Sequence, residues 1–324
     1  MVIEARSPQP LVPGISVVVP VYRSAAVLPT LHKRLVAAVS ELTATFEIIL
    51  VEDAGGDESW AEIQKLAGED PRVHGLRMSR NYGQHNALLC GIRSAAYDVT
   101  VTLDDDLQNP PEEIGKLIAC LTPEIDVVYG TPEAEEHGFL RDQASRITKI
   151  ALQSAMGAET ARHVSAFRAF RTRLRDAFER FGGPSVAIDV LLAWGTTRFA
   201  HVVVRHEPRR LGKSTYTLRK LVNHGFTMMT GFSTLPLQIA SLIGFLFTAG
   251  GVLILLYVLG NFLLNGSAVP GFAFLASIIA IFSGAQLFAL GIIGEYLARM
   301  HFRSMDRPTY VVQERTYGGS SDDQ

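Results

Sequence analysis

The chain has 324 residues, with 30 Lys and Arg against 32 Asp and Glu, and 48% of it is hydrophobic. That length accommodates two domains, and the apolar fraction is high for a wholly soluble protein. A net charge of −2 says little about partners, because the basic residues gather near the apolar C-terminal half, and no nucleic-acid partner is expected. Cys90 and Cys120 are only two and show no metal-type spacing, so the simplest expectation is free buried thiols in a reducing compartment.

Ile15–Val21 (ISVVVPV) is a continuous β-branched run, the pattern of a strand covered on both faces. Ala25–Leu42 repeats Leu28, Leu31, Leu35, Val36 and Val39 at helical spacing. Phe46–Val51 reads as a second strand, halted by Glu52-Asp53-Ala54-Gly55-Gly56. A helix over Ser59–Leu66, a strand over Val73–Met78 and a helix over Asn86–Ala96 follow. Val99–Leu103, a further helix and Asp126–Tyr129 complete the series. Strands alternating with helices predict a mostly parallel sheet with right-handed crossovers.

Val99–Leu103 runs straight into Asp104, Asp105 and Asp106, so three carboxylates sit at the carboxyl end of a strand, where open α/β sheets place ligands. Asp104 and Asp106 are two apart and can point the same way, which suits two oxygens on one hard divalent cation. Magnesium takes one or two protein carboxylates and completes its shell with water and substrate phosphates, so the pattern fits a nucleotide diphosphate held through a metal. A plain turn and helix start explains the same letters: Asn109 as N-cap, Pro110 at the first helical position and Glu112 three residues after the cap. The two readings are compatible if Asn109 and Pro110 start the helix and leave Asp104, Asp106 and Gln108 for the cation.

Two later segments, Leu235–Leu264 and Val269–Gly294, carry no charged residue. Each exceeds the roughly 20 apolar residues that cross a bilayer, and the short Asn265–Ala268 linker makes them a helical hairpin. Arg205, Arg209, Arg210, Lys213, Arg219 and Lys220 precede the hairpin, and Arg299, Arg303 and Arg307 follow it. The positive-inside rule therefore puts residues 1–230 and the C-terminal tail in the cytoplasm. The first residues show no apolar core of signal-peptide length. The expected layout is a catalytic domain over 1–230, two membrane helices near 235–260 and 270–296 within 231–298, and a tail over 299–324. Leu140–Met156 and Tyr216–Phe232 read as amphipathic helices along the membrane surface, with core packing the alternative for the first.

VVVPVYRS (17–24), LVEDAGGD (50–57), RNYGQHNAL (80–88), LDDDLQNPPEEI (103–114) and SAFRAFRTRL (165–174) occur in order. RRLGKSTYTLRKL (209–221), GAQLFALGIIGEYLARM (284–300) and RPTYVVQ (307–313) follow. In this set the chain resembles the membrane-bound polyprenyl-phosphate glycosyltransferases of glycosyltransferase family 2. The family includes dolichyl-phosphate mannose synthase, bactoprenol glucosyltransferase and undecaprenyl-phosphate aminoarabinose transferase. The resemblance implies a GT-A catalytic domain, a Rossmann-like α/β fold, ahead of the hairpin. It implies that Pro20, Tyr22 and Asp53 line the nucleotide pocket, with Asp53 accepting from the base, though a carboxylate serves uracil and guanine alike. Arg80 and Asn81 are polar clamps on the nucleotide or loop caps. By the same resemblance, Asp104 and Asp105 are expected to contact the nucleotide, and Asp104, Asp106 and Gln108 to hold Mg2+ or Mn2+. Arg141 and Ser145 match an element that holds the acceptor phosphate, joined by Arg209 and Lys213, and Arg168 faces the site.

Asp105 stands where the family commonly has alanine, Pro132 and Glu133 where relatives often carry an arginine, and Thr215 where many carry a lysine. Phosphate binding then leans on Arg141 and Arg209, or on His137, which has no partner at metal-ligand spacing. Asp189 lies roughly where other GT-A enzymes place a base; orienting the sugar or Arg168, or starting a helix, are its other readings.

An acceptor hydroxyl requires a general base, whereas a polyprenyl phosphate is already an oxyanion. The expected reaction is metal-dependent inverting transfer of one sugar from a nucleotide diphosphate, UDP-linked by preference, to polyprenyl phosphate at the cytoplasmic membrane face. A GDP-mannose donor is the alternative. A processive polysaccharide synthase is disfavoured by the two spans and the lack of a Q-x-x-R-W-type motif. A degenerate membrane scaffold is disfavoured by the intact Asp104, Asp106 and Gln108. The resemblance also points to a homo-oligomer, a tetramer.

Overall fold

The computed structural model describes residues 14–132, 163–183, 186–207, 235–265, 271–305 and 307–316. The stretches over 140–156 and 216–232, together with His137, Arg141, Ser145, Arg209, Lys213 and Thr215, lie outside the described residues.

Strands β1 (Ile15–Val21), β2 (Phe46–Glu52), β3 (Val73–Met78) and β4 (Val99–Thr102) alternate with helices α1 (Leu28–Ser40), α2 (Ser59–Glu69) and α3 (Gln84–Ser94). A 3-10 turn (Pro111–Glu113) leads into α4 (Ile114–Ala119), then β5 (Val127–Pro132), β6 (Arg168–Arg171), α5 (Ile188–Gly195) and β7 (Phe199–Val204). Two long helices, α6 (Leu235–Asn265) and α7 (Phe272–Ser304), precede a last strand, β8 (Val312–Arg315). One eight-stranded sheet runs in the order β7-β5-β6-β4-β1-β2-β3-β8. The pairs β1–β2, β1–β4, β2–β3 and β5–β7 are parallel; β6 and β8 are inserted antiparallel. The fold is thus the mostly parallel α/β sheet expected, with two antiparallel additions.

Successive residues of a strand point to opposite faces, and this sorts the apolar runs between two cores. Val17 and Val19 of β1 pack with Ile48 and Leu50 of β2 against Leu28, Leu31 and Leu35 of α1. Val18, Ile49 and Val51 face the other way, toward Leu88, Leu89 and Ile92 of α3 and Leu191 of α5. A sheet buried on both faces has no polar side, so ISVVVPV is apolar apart from Ser16, whose buried hydroxyl donates to Glu47 at 2.6 Å.

The start after Asn109 differs from expectation. Pro110 is extended (φ −61°, ψ 128°), the turn begins at Pro111, and no side chain caps it. Glu112 does not reach back to a capping residue. It accepts two hydrogen bonds from Arg34 on α1, at 2.8 and 2.7 Å. A charge-assisted bidentate pair outcompetes the weaker capping box.

The side chains described on α6 and α7 are largely exposed, including Phe245, Leu253, Tyr257, Leu287 and Leu290. Both helices are long and apolar enough to cross a membrane, over Pro236–Asn261 and Ile281–Ala298. They pack on one another through Phe247 and Phe282, whose rings meet edge-on with centroids 5.7 Å apart. Gly251 makes that approach possible, since a Cβ there would lie 2.9 Å from the Phe282 ring.

The segment after α7, expected as a tail, returns to the sheet. Strand β8 covers the outer edge of β3, with Ser79 N–H on Val311 O (2.9 Å) and Thr316 N–H on Gly75 O (3.1 Å). The Gly75 N–H is capped by the Thr316 hydroxyl at 2.8 Å.

Candidate active site

The carboxyl ends of β1, β2 and β4 and the loop before α3 enclose a cleft of about 250 Å³. Pro20, Val21 and Tyr22 line it from β1, Asp53 from β2, Asn81, Gly83 and Gln84 from the α3 entry, and Asp104, Asp105 and Asp106 from β4. A larger groove of about 750 Å³ lies at the opposite ends of the strands, beside Asp98, Asp126 and Arg171. Its polar groups are engaged with one another: Asp126 takes Arg173 and Arg198, and Arg171 caps the carbonyls of Leu121 and Thr122. Chemistry in a parallel sheet belongs to the carboxyl ends, and there the carboxylates converge.

Among the described residues, three non-glycine residues adopt left-handed backbone, Arg23 (φ 57°), Ala54 (φ 49°) and Leu107 (φ 59°). All three sit in the loops that leave β1, β2 and β4 at the cleft. Such conformations cost about 1–2 kcal/mol each and persist where surrounding contacts hold them.

Those contacts are specific. Both Asp53 oxygens accept backbone N–H groups of the opposite loop, from Tyr82 and Gly83, each at 2.7 Å. Gly83 stands at φ +95°, a conformation that favours glycine, and opens α3. Burial pushes the Asp53 carboxyl above its ordinary value against the pull of these two donors, and the neighbouring Glu52 charge adds to the rise. Asp53 therefore shapes the loop that bears Arg80 and Asn81. Asn81 lines the cleft, while the Arg80 guanidinium lies over the Tyr82 ring, 4.5 Å from its centroid.

Asp105 accepts the Tyr22 N–H at 3.1 Å, and burial also raises its carboxyl, opposed by hydrogen bonds from Ser24 and Tyr22. It ties the β4 loop to the β1 loop, a role its sequence position did not disclose. Asp104 accepts the Gln84 side-chain amide at 2.5 Å, and Asp106 accepts the Gln108 N–H at 3.1 Å. Gln84 is a site residue that the sequence reading passed over, although it lies inside the NYGQH stretch at the first turn of α3. Gln108 is bonded through its backbone on both sides, since its carbonyl takes the Glu207 N–H at 2.8 Å.

Arg168 does not line the cleft. It is 1% exposed and pairs with Asp189, which also accepts the Tyr129 hydroxyl at 3.0 Å. A buried guanidinium needs a carboxylate, and α5 supplies one. The expectation that Arg168 faces the site thus gives way to a buried Arg168–Asp189–Tyr129 cluster, and Asp189 orients Arg168.

Among the described residues, no three His, Cys, Asp or Glu side chains form a metal cage on their own. Asp104 and Asp106 are instead a two-carboxylate set on the wall of the cleft. That donor set fits a hard cation whose shell is completed by water and phosphate.

Residues 16–182 match the model for "Glycosyl transferase family 2". The chain is 36% identical over 303 residues to an undecaprenyl-phosphate 4-deoxy-4-formamido-L-arabinose transferase of Sodalis glossinidius (strain morsitans), covering 92% of this chain and 93% of that one. The transferase of the same name from Pectobacterium atrosepticum is 35% identical over 305 residues, covering 93% of each chain. In fold, the chain resembles glucosyl-3-phosphoglycerate synthase from Mycobacterium tuberculosis, solved with Mn2+, UDP and glucosyl-3-phosphoglycerate. That likeness has a TM-score of 0.51 at 16% identity and covers 68% of this chain and 79% of the other. The chain belongs to glycosyl transferase family 2, on its polyprenyl-phosphate branch, and is a glycosyltransferase.

Proposed function

We propose that this enzyme transfers a single sugar from a UDP-sugar to undecaprenyl or a similar polyprenyl phosphate, with inversion, at the cytoplasmic face of a membrane. The observation that carries the reading is the convergence of Asp53, Asp104, Asp105 and Asp106 on one cleft, in a chain that also bears two helices able to cross a membrane. So much negative charge on one wall does not receive a diphosphate unaided, and a divalent cation on Asp104 and Asp106 is the natural complement. When bound, Mg2+ or Mn2+ would neutralise the diphosphate leaving group. Gln84 and the Gln108 N–H hold the two carboxylates in place.

In the transfer itself, a phosphate oxygen of the lipid forms a bond to the anomeric carbon as the bond to the nucleotide diphosphate breaks. The attacking oxygen already carries its charge, so no group has to remove a proton. Asp189 is consistent with this, since its carboxylate is buried against Arg168 and Tyr129. Arg141, Ser145, Arg209 and Lys213 are the proposed cradle for the lipid phosphate. Planar, permanently charged guanidinium groups suit that task. The described chain reaches Glu207 hydrogen-bonded to Gln108, beside the acidic loop, immediately before Pro208 and Arg209. Pairing of β8 with β3 keeps the segment after α7 on the same side as the sheet, in keeping with both ends of the hairpin facing the cytoplasm.

The test uses the purified protein with undecaprenyl phosphate and a panel of labelled UDP- and GDP-sugars, 4-deoxy-4-formamido-L-arabinose included, followed by lipid extraction. Labelled lipid is expected from a UDP-sugar, lost with EDTA and reduced by about 100-fold or more in Asp106→Ala. Unchanged transfer in Asp106→Ala would refute the mechanism, and product from GDP-sugars alone would refute the donor.

A further inference from the structure

Glu52, the last residue of β2, is 2% exposed, and it lies next to Asp53. Its Oε1 accepts the Gly55 N–H at 2.6 Å and so fixes the turn that leaves β2 at the cleft. Its Oε2 makes no hydrogen bond. A cation close to it is Arg77 of β3, whose Nε lies 3.6 Å away. A carboxylate this deep depends on its counter-charge, so where Arg77 sits matters to the turn.

Arg77 is held by a residue from the far side of the long helices. Its Nη1 donates to Glu314 Oε1 at 2.7 Å, and Trp60 Nε1 donates to the other Glu314 oxygen at 3.0 Å. Glu314 and Arg77 are opposite one another across β8 and β3, and the register shifts between Arg77 and Met78. Bulges of this kind re-aim a side chain. The guanidinium is thereby suspended between two acids, close to Glu314 and farther from Glu52.

We propose that Glu314 is a positioning residue for the donor cleft, acting through Arg77 and Glu52 on the turn at Ala54–Asp57. The proposal rests on the reading of the cleft as the nucleotide site. With Glu314 neutral, Arg77 closes on Glu52 and draws its carboxylate away from the Gly55 N–H. The turn then loosens, along with the Gly55 carbonyl that receives Arg23 Nε at 2.8 Å and the adjoining Asp53. Strand β8 directly follows α7 in the chain, so the end of the apolar hairpin is linked by three charged side chains to the donor site.

The experiment compares the full-length protein with Glu314→Gln, Glu314→Asp and Thr316→Val. The last removes the hydroxyl bond to Gly75 from the residue just after β8 and leaves Arg77 alone. Amide exchange over residues 54–57, UDP affinity with Mg2+, thermal stability and the donor and acceptor KM are measured. Glu314→Gln is expected to speed exchange over 54–57 and to weaken UDP binding about 5-fold or more, raising donor KM while kcat and acceptor KM hold. Glu314→Asp restores part of both, and Thr316→Val lowers thermal stability without moving either. Unchanged exchange over 54–57 in Glu314→Gln, or an equal change in Thr316→Val, overturns the proposal. A wild-type protein that binds no UDP defeats the donor reading instead, and the exchange comparison still decides the linkage.

Discussion

The backbone N–H of Glu207 donates to the carbonyl oxygen of Gln108 across 2.8 Å, joining the chain that leaves β7 to the acidic loop after β4. Arg34 secures the same junction from α1, bonding Glu112 twice and Glu207 once, the last at 3.1 Å. Pro208 follows in the sequence and disfavours helical backbone at Glu207.

Replacing Arg34 with methionine keeps the stem and removes both attachments. The pairs are partly exposed, so the cost in stability is modest, about 1 kcal/mol. Transfer to lipid phosphate should fall more than UDP affinity does, because the exit from β7 loosens while Asp53 and its loop are untouched. Denaturant titration and separate donor and acceptor KM values check this.

Asp53→Asn puts an amide NH2 against one of two backbone N–H donors, and nucleotide affinity should fall about 10-fold, equivalent to roughly 1.4 kcal/mol. The pH response of the wild type has a distinct sign. Burial raises the Asp53 carboxyl, so nucleotide affinity should begin to fall at a higher pH than an ordinary carboxylate near 3.8 would dictate. A raised acid favours the folded state as pH falls, so this group does not drive acid unfolding. Calorimetric titration of UDP between neutral and mildly acidic pH, with thermal stability in parallel, should show the affinity falling first.

Asp126 behaves oppositely. Burial alone would raise its carboxyl, but the Thr196 hydroxyl and the guanidinium groups of Arg198 and Arg173 outweigh burial and hold it below 3.8. Its stabilisation is complete above that unfolded value and is lost as pH falls through the lower folded one. Asp126→Asn should therefore cost about 1–2 kcal/mol at neutral pH, limited by the exposure of both arginines. The gap from wild type should close on acidification below about pH 4, read from thermal melts at stepped pH.

Within the hairpin, Gly251→Leu drives a side chain into the Phe282 ring and should cost on the order of 1–3 kcal/mol. A Cβ at Gly244 meets nothing within 4 Å, so Gly244→Leu on the same helix should be close to neutral. Thermal denaturation in detergent compares the two.

The strands β1 and β2 were legible because each is covered on both faces, which leaves runs such as ISVVVPV and FEIILV apolar but for Ser16 and Glu47, and those two bond one another at 2.6 Å. The two long helices were legible from length alone, as uncharged apolar runs long enough to cross a bilayer. The cleft carboxylates were legible because a strand end is a local signal. What escaped was non-local. The pairing of Asp189 with Arg168 stood only as one of several readings of Asp189, and nothing near Glu112 announces Arg34. The tether from Asp105 to Tyr22 joins loops 83 residues apart in sequence. Strand β8, with the letters VQER and every second side chain exposed, carries no apolar pattern that would separate it from a polar tail.

That last strand comes after both long helices in the chain, so synthesis reaches it only when they have been made. Until then β3 presents an unpaired edge, the Gly75 N–H lacks its cap, and Arg77 and Trp60 lack Glu314. An open strand edge is a template for pairing with the wrong chain. The sheet is therefore finished by a stretch that emerges from the ribosome only after both long helices, and a fragment ending at Glu207 would keep the cleft residues but remain permanently unhemmed along β3.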